Sequence, residues 1–135
     1  MQTLTKDSDP NIAGGSIFNT PDHRANLWLN YKVQYKKLKG VSFALGNQYS
    51  SKRRATNIWE ADKTKFLADY YLLDAALSYS DDKFDISLNI YNITNVNYAA
   101  MGYFSQSGGW RYTPGEPVNF RLSFGVNLVH SKKDK

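Results

Sequence analysis

Apolar and polar residues alternate with a period of two along most of this chain, in runs of about ten residues, and this pattern admits strands while excluding amphipathic helices. The first run places Ala25, Leu27, Leu29, Tyr31, Val33 and Tyr35 on one side. Arg24, Asn26, Asn30, Lys32 and Gln34 fall on the other, where Trp28 is the one large apolar intruder. The second run sets Val41, Phe43, Leu45 and Tyr49 against Ser42, Ala44, Gly46, Gln48 and Ser50, with Asn47 interrupting the apolar row. The third sets Tyr71, Leu73, Ala75, Leu77 and Tyr79 against Tyr70, Leu72, Asp74, Ala76 and Ser78. The fourth sets Phe84, Ile86, Leu88 and Ile90 against Asp85, Ser87, Asn89 and Tyr91. The fifth sets Phe120, Leu122, Phe124, Val126 and Leu128 against Asn119, Arg121, Ser123, Gly125 and Asn127. Strands are therefore predicted over residues 23–35, 40–51, 68–80, 83–94 and 118–129.

Such runs exceed the usual strand of about 5–6 residues and match the roughly 9–11 that a tilted strand needs to cross a bilayer. The connections alternate in length: residues 8–22 long, 36–40 short, 51–66 long and charged, 80–83 short, 95–118 long. Short turns at one end and long loops at the other are the pattern of outer-membrane barrels. The fold class expected is all-β, an antiparallel meander of long strands forming an arc of a transmembrane β-barrel. The apolar side is expected to face lipid, and Asn26, Asn30, Lys32, Asp74, Asn89, Arg121 and Asn127 the lumen. A soluble β-sandwich also alternates, but strand length and loop asymmetry favour the barrel. No uninterrupted apolar run exceeds four residues, so there is no helical membrane span. Met1–Lys6 reads as the end of an earlier strand, Ser131–Lys135 as a charged tail, and residues 1–135 as one partial barrel domain.

Two stretches resemble the C-terminal strands of TonB-dependent outer-membrane receptors. Asn19-Thr20-Pro21-Asp22-His23, running on to Leu27-Trp28-Leu29-Asn30-Tyr31, is similar to the N-x-P-x-H entry and L-W-x-x-Y strand of the siderophore-receptor branch. Leu88-Asn89-Ile90-Tyr91-Asn92-Ile93-Thr94-Asn95, then Tyr98, resembles the family's L-N-I-x-N-L-T-N-x-x-Y. Gly115-Glu116-Pro117-Val118-Asn119-Phe120 is similar to its G-x-P-R-x-F lead into the last strand, with Val118 in place of Arg, and Leu73–Tyr79 fits the strand between. The chain departs from the family in ending on Val129–Lys135 without a terminal aromatic residue. The family barrel has roughly 22 strands and a plug in its lumen. The resemblance therefore implies a C-terminal piece of a receptor, or a truncated or split product, in which plug and earlier strands are absent. It further implies location in the bacterial outer membrane, a ferric siderophore or similar ligand, and the TonB system as partner through the missing plug.

The residues themselves argue against other classes of function. With no Cys, a disulfide framework, a thiolate metal site and a cysteine nucleophile are excluded. His23 and His130 have no partner at metal spacing, and no nucleophile-elbow or phosphate-loop motif occurs, so neither enzyme, metal site nor cofactor is expected. His23 reads as structural, and Asp81 and Asp82 as turn residues. Asn92-Ile93-Thr94 matches a glycosylation sequon by coincidence. A formal charge of +5 permits anionic partners. The aromatic sides carry almost no cations, which speaks against nucleic acid. In loop 51–66, Lys52, Arg53, Arg54, Lys63 and Lys65 outnumber Glu60 and Asp62, as expected of a solvated face or one turned to outer-membrane lipid and lipopolysaccharide. In loop 95–118, Tyr103, Phe104, Trp110, Arg111 and Tyr112 are the candidate ligand-binding residues, because aromatics beside Arg can stack on a ligand and neutralise an anion. The competing assignment is an interfacial aromatic girdle. Two further readings stay open: a small structural or adhesion-like outer-membrane barrel that oligomerises to close, and a soluble β-sandwich binding module.

Overall fold

The computed structural model describes residues 17–56 and 64–128. The expectations for Met1–Lys6, residues 8–16, Glu60, Asp62, Lys63, His130 and Ser131–Lys135 lie outside the described residues. In chain order the strands are β1 Arg24–Lys32, β2 Val41–Ser50, β3 Arg53–Arg54, β4 Phe66–Leu67, β5 Tyr70–Ser80, β6 Phe84–Tyr91, β7 Ala99–Ser105, β8 Gly109–Pro114 and β9 Asn119–Val126. A five-stranded sheet runs in the order β1-β2-β5-β6-β9, and β3-β4 and β7-β8 form two further ribbons. Its five members are the five predicted strands, shortened by at most three residues at either end. Two compact units are distinguished: one takes in residues up to Asn26, Gln48–Tyr71 and Val96–Pro117, the other Leu27–Asn47, Leu72–Asn95 and residues from Val118 on.

In the second unit the register confirms the alternation. Leu77 pairs with Leu88 and Leu88 with Leu122; Tyr79 pairs with Ile86 and Ile86 with Phe124; Ala75 pairs with Ile90 and Ile90 with Phe120. Cross-strand partners share a face, so these rows form one apolar surface. The other face carries Ser78, Ser87 and Ser123, and the row Ala76, Asn89 and Arg121. The apolar surface is uncovered: Phe120 is 77 % exposed, and Leu29, Phe43, Leu45, Leu122 and Phe124 are also exposed. Among the described residues the buried apolar side chains are Ala55, Leu67 and Leu72. Withdrawing a large apolar side chain from water is worth roughly 1.5–3 kcal/mol, and this sheet forgoes it along a whole face. Trp28, the exception on the polar side, lies over the neighbouring strand where a side chain is missing: a Cβ on Gly46 would come within 2.5 Å of its Cζ2.

The short β5–β6 turn is held by a side chain. Asp81 Oδ1 accepts from the N–H groups of Lys83 (2.7 Å) and Phe84 (2.9 Å), while the Asp81 N–H donates to the Phe84 carbonyl at 3.0 Å. A two-residue hairpin loop usually needs positive φ. Asp82 and Lys83 have none, and the carboxylate replaces the backbone acceptor that a primed turn would present. These two donors, Phe84 first, hold the Asp81 carboxyl below its ordinary value.

The long connections depart from expectation. Residues 99–114, read as irregular loop, form the β7–β8 hairpin, with Phe104 opposite Trp110, Tyr103 opposite Arg111 and Gly102 opposite Tyr112. Its three-residue loop, Gln106-Ser107-Gly108, closes on Gly109 at φ +68°, the left-handed position such loops assign to glycine. The hairpin escapes a search by periodicity because both of its faces carry aromatics. β3 lies within the expected loop 51–66 and β4 at its end, and two residues are too few to show a period.

Candidate functional site

The five candidate residues sit on one hairpin but on two of its faces. Phe104, Trp110 and Tyr112 share a face with Gly102, and Tyr103 and Arg111 share the other. Each face has a cation beside an aromatic group. The rings of Phe104 and Trp110 meet edge-on at 5.4 Å, and Lys65 Nζ stands 5.2 Å from the Phe104 centroid. On the opposite face Arg111 Nη1 donates to Tyr103 Oη at 3.4 Å. Trp110, Arg111 and Tyr112 are exposed and Phe104 is half-buried, so rings and charges are presented to solvent. Such pairs can stack on a flat ligand and neutralise its negative charge. Beside the hairpin is a cleft of about 320 Å³ lined by Leu67, Asp69, Asn97, Tyr98, Tyr112 and Pro114.

The basic residues of loop 51–66 do not form one face. Lys52 is exposed, with its Nζ 5.0 Å from the Phe66 centroid. Arg53 and Arg54 are buried, which corrects the expectation of a wholly solvated or lipopolysaccharide-facing surface. Arg53 is 3 % exposed because its guanidinium works as a fork. Nη1 donates to the Ala100 carbonyl at 2.7 Å and Nη2 to that of Ala99, at the point where a β-bulge leaves β7 without regular pairing. The guanidinium carbon lies 5.2 Å from the Tyr70 centroid, and Tyr70 packs on Tyr98 at 4.5 Å. The hairpin is thus held at its base, and near its tip the Phe104 N–H donates to the Ala55 carbonyl at 2.8 Å. In the sequence Arg53 is one basic residue among several, and no local signal separates a buried arginine from an exposed one.

The motif residues hold turns and strand ends together. Asn19 takes φ +54°, its N–H donates to the Arg54 carbonyl at 3.0 Å, and its Oδ1 accepts from the Gly102 N–H at 3.3 Å. The His23 N–H donates to Ser51 Oγ at 3.0 Å and its carbonyl accepts from the Ser51 N–H at 2.9 Å, so its backbone ties the entry of β1 to the end of β2. Asn92 and Asn95 both have φ of +50°, a conformation Asn tolerates better than most residues. The Asn92 N–H donates to Asp74 Oδ1 at 2.8 Å, with both residues buried, and the Asn95 N–H to the Asn92 carbonyl at 2.8 Å. Buried in this turn, Asn92 is not presented for glycosylation. Asn95 Oδ1 in turn accepts from the Val118 N–H at 3.0 Å.

With this geometry in view, comparison with known proteins defines the class. The sequence profile of the TonB dependent receptor-like β-barrel family matches residues 2–93, and the chain belongs to that family. It is 30 % identical over 114 residues to the catecholate siderophore receptor Fiu of Escherichia coli K12, a match covering 84 % of this chain and 14 % of that protein. The chain therefore spans about one seventh of the length of the curated relatives it matches. Among solved structures, the open form of the ferric-catecholate import receptor Fiu from E. coli K12 aligns with TM-score 0.61 and 30 % identity, over 78 % of this chain and 15 % of that one. The siderophore receptor PiuA from Acinetobacter baumannii aligns with TM-score 0.66 and 26 % identity, over 83 % and 14 %. Family membership sets aside the soluble sandwich and the oligomerising adhesion-like barrel.

Proposed function

We propose that this chain supplies wall strands and one ligand-capturing hairpin to an outer-membrane receptor that imports a ferric siderophore. Family membership and the likeness to Fiu and PiuA support this reading. The single observation that carries ligand capture is the β7–β8 hairpin, which sets Lys65 against Phe104–Trp110 and Arg111 against Tyr103. The uncovered apolar face then meets lipid, and the short β1–β2 and β5–β6 connections lie on the periplasmic side with the hairpin on the extracellular side. The TonB system acts through a plug contributed by other parts of the receptor.

The test is binding and uptake of candidate ferric siderophores by a complete receptor that contains these strands, with Trp110→Ala or Arg111→Ala. Loss of one such residue is expected to cost about 2 kcal/mol of binding, roughly thirtyfold in affinity. Normal surface expression with unchanged affinity for every ligand taken up by the wild type assigns these residues to girdle or hairpin packing.

A further inference from the structure

The turn between β1 and β2 combines charge and aromatic groups in a way that ligand import does not use. Lys32, Lys36, Lys37 and Lys39 fall within eight residues and are all exposed. Lys36 and Lys37 belong to a 3₁₀ turn, Lys36–Leu38, that contains no acidic residue. Lys32 and Lys39 line a cleft of about 490 Å³ with Tyr79, Asp81 and Asp82, so four lysines and two carboxylates face this end of the strands. In the same segment Tyr31, Tyr35 and Leu38 are at least half exposed. The turn is also anchored: the Leu38 N–H donates to the Tyr35 carbonyl at 2.9 Å, the Val33 N–H to that of Val41 at 2.9 Å, and the Ser80 N–H to that of Gly40 at 3.0 Å.

We infer that this turn is a docking site for the headgroups of anionic glycerophospholipids in the leaflet bordering the short connections. Tyr31 belongs to the apolar row of β1, which ends at this turn. Tyrosines at the end of a lipid-facing row sit at headgroup level, with the ring among acyl chains and the hydroxyl in the polar layer. Lysines in the adjoining turn reach the same layer, where clustered ammonium groups attract anionic lipid. The long connections lie at the opposite ends of these antiparallel strands, so on the proposed topology the leaflet is the phospholipid one. This inference rests on the membrane placement proposed above.

The experiment uses the complete receptor in lipid nanodiscs of phosphatidylcholine, with and without phosphatidylglycerol. Wild type is compared with Lys36→Gln/Lys37→Gln/Lys39→Gln, which removes three exposed charges and keeps the side-chain length. Phosphatidylglycerol should raise the melting temperature and be retained on purification, more so at low salt. The triple variant should lose that response, with retention weakened about fivefold per lysine removed. An equal response from the variant overturns the site. So does equal stabilisation of detergent-solubilised receptor by inorganic phosphate, which identifies a free-anion site. A receptor that cannot be recovered in discs overturns the membrane placement and the site with it, whereas a recovered receptor indifferent to phosphatidylglycerol overturns the site alone.

Discussion

The ring of Tyr98 occupies the space that a side chain at residue 115 would need: a Cβ on Gly115 would overlap three of its ring atoms. The Gly115 N–H donates to the Tyr98 carbonyl at 2.7 Å, so backbone and ring together tie the start of β7 to the end of β8. Two residues that mark the family resemblance, 17 positions apart in the sequence, are thus one packing contact.

Gly115→Ala is expected to displace the Tyr98 ring and, through it, Tyr70. Overpacking of this kind costs about 1–3 kcal/mol. Hydrogen exchange on the complete receptor checks it: amides of β7 and β8 should lose protection while those pairing β6 with β9 keep theirs. Unchanged protection of the hairpin would show that the ring relocates freely.

Arg53→Met should loosen the same hairpin from its other strand. It removes two charge-assisted hydrogen bonds to the Ala99 and Ala100 carbonyls, each of a type worth about 1.5–3 kcal/mol. Arg53→Lys should not restore them both, because an ammonium is a point donor and lacks the planar fork. Limited proteolysis between residues 99 and 114 should speed up in both variants. If lysine protects as well as arginine, the fork geometry is not what holds the bulge.

Leu88 and Asn89 are adjacent in β6 and belong to opposite faces. On the proposed membrane placement, Leu88→Arg puts a charge into lipid at a cost of roughly 2–4 kcal/mol. Asn89→Arg faces the lumen and should be tolerated. Assembly of the complete receptor in outer membranes measures this, and equal yields at both positions would remove the assignment of faces.

The Asp81 carboxyl is lowered by the N–H groups of Phe84 and Lys83. A carboxyl whose pKa is lower folded than unfolded stabilises the turn at every pH above its ordinary value near 3.8. That contribution fades as the pH falls below the ordinary value and is gone once the folded-state pKa is passed. Asp81→Asn should therefore melt below wild type at neutral pH, and the gap should close in acid below that value. A gap independent of pH would place the stabilisation in hydrogen bonding alone.

Period two was enough to locate all five strands of the sheet and to assign Leu77, Leu88, Leu122, Ile86 and Phe124 to one face, because side-chain direction in a strand follows from residue parity. Part of the turn chemistry is equally local: Asp81 accepts from the N–H groups two and three residues on, and the Asn95 N–H donates to the Asn92 carbonyl. What the chain's own order could not express was which distant groups meet. Nothing near Arg53 in sequence reveals that carbonyls 46 and 47 residues away need its donors. Nor does the composition of residues 95–118 show that Phe104 and Trp110 pair across a hairpin while Tyr103 and Arg111 turn the other way. Parity and turn preference are properties of neighbouring residues and are written in the sequence. The burial of a charge and the division of a site between two faces depend on long-range pairing, and only the tertiary structure decided them.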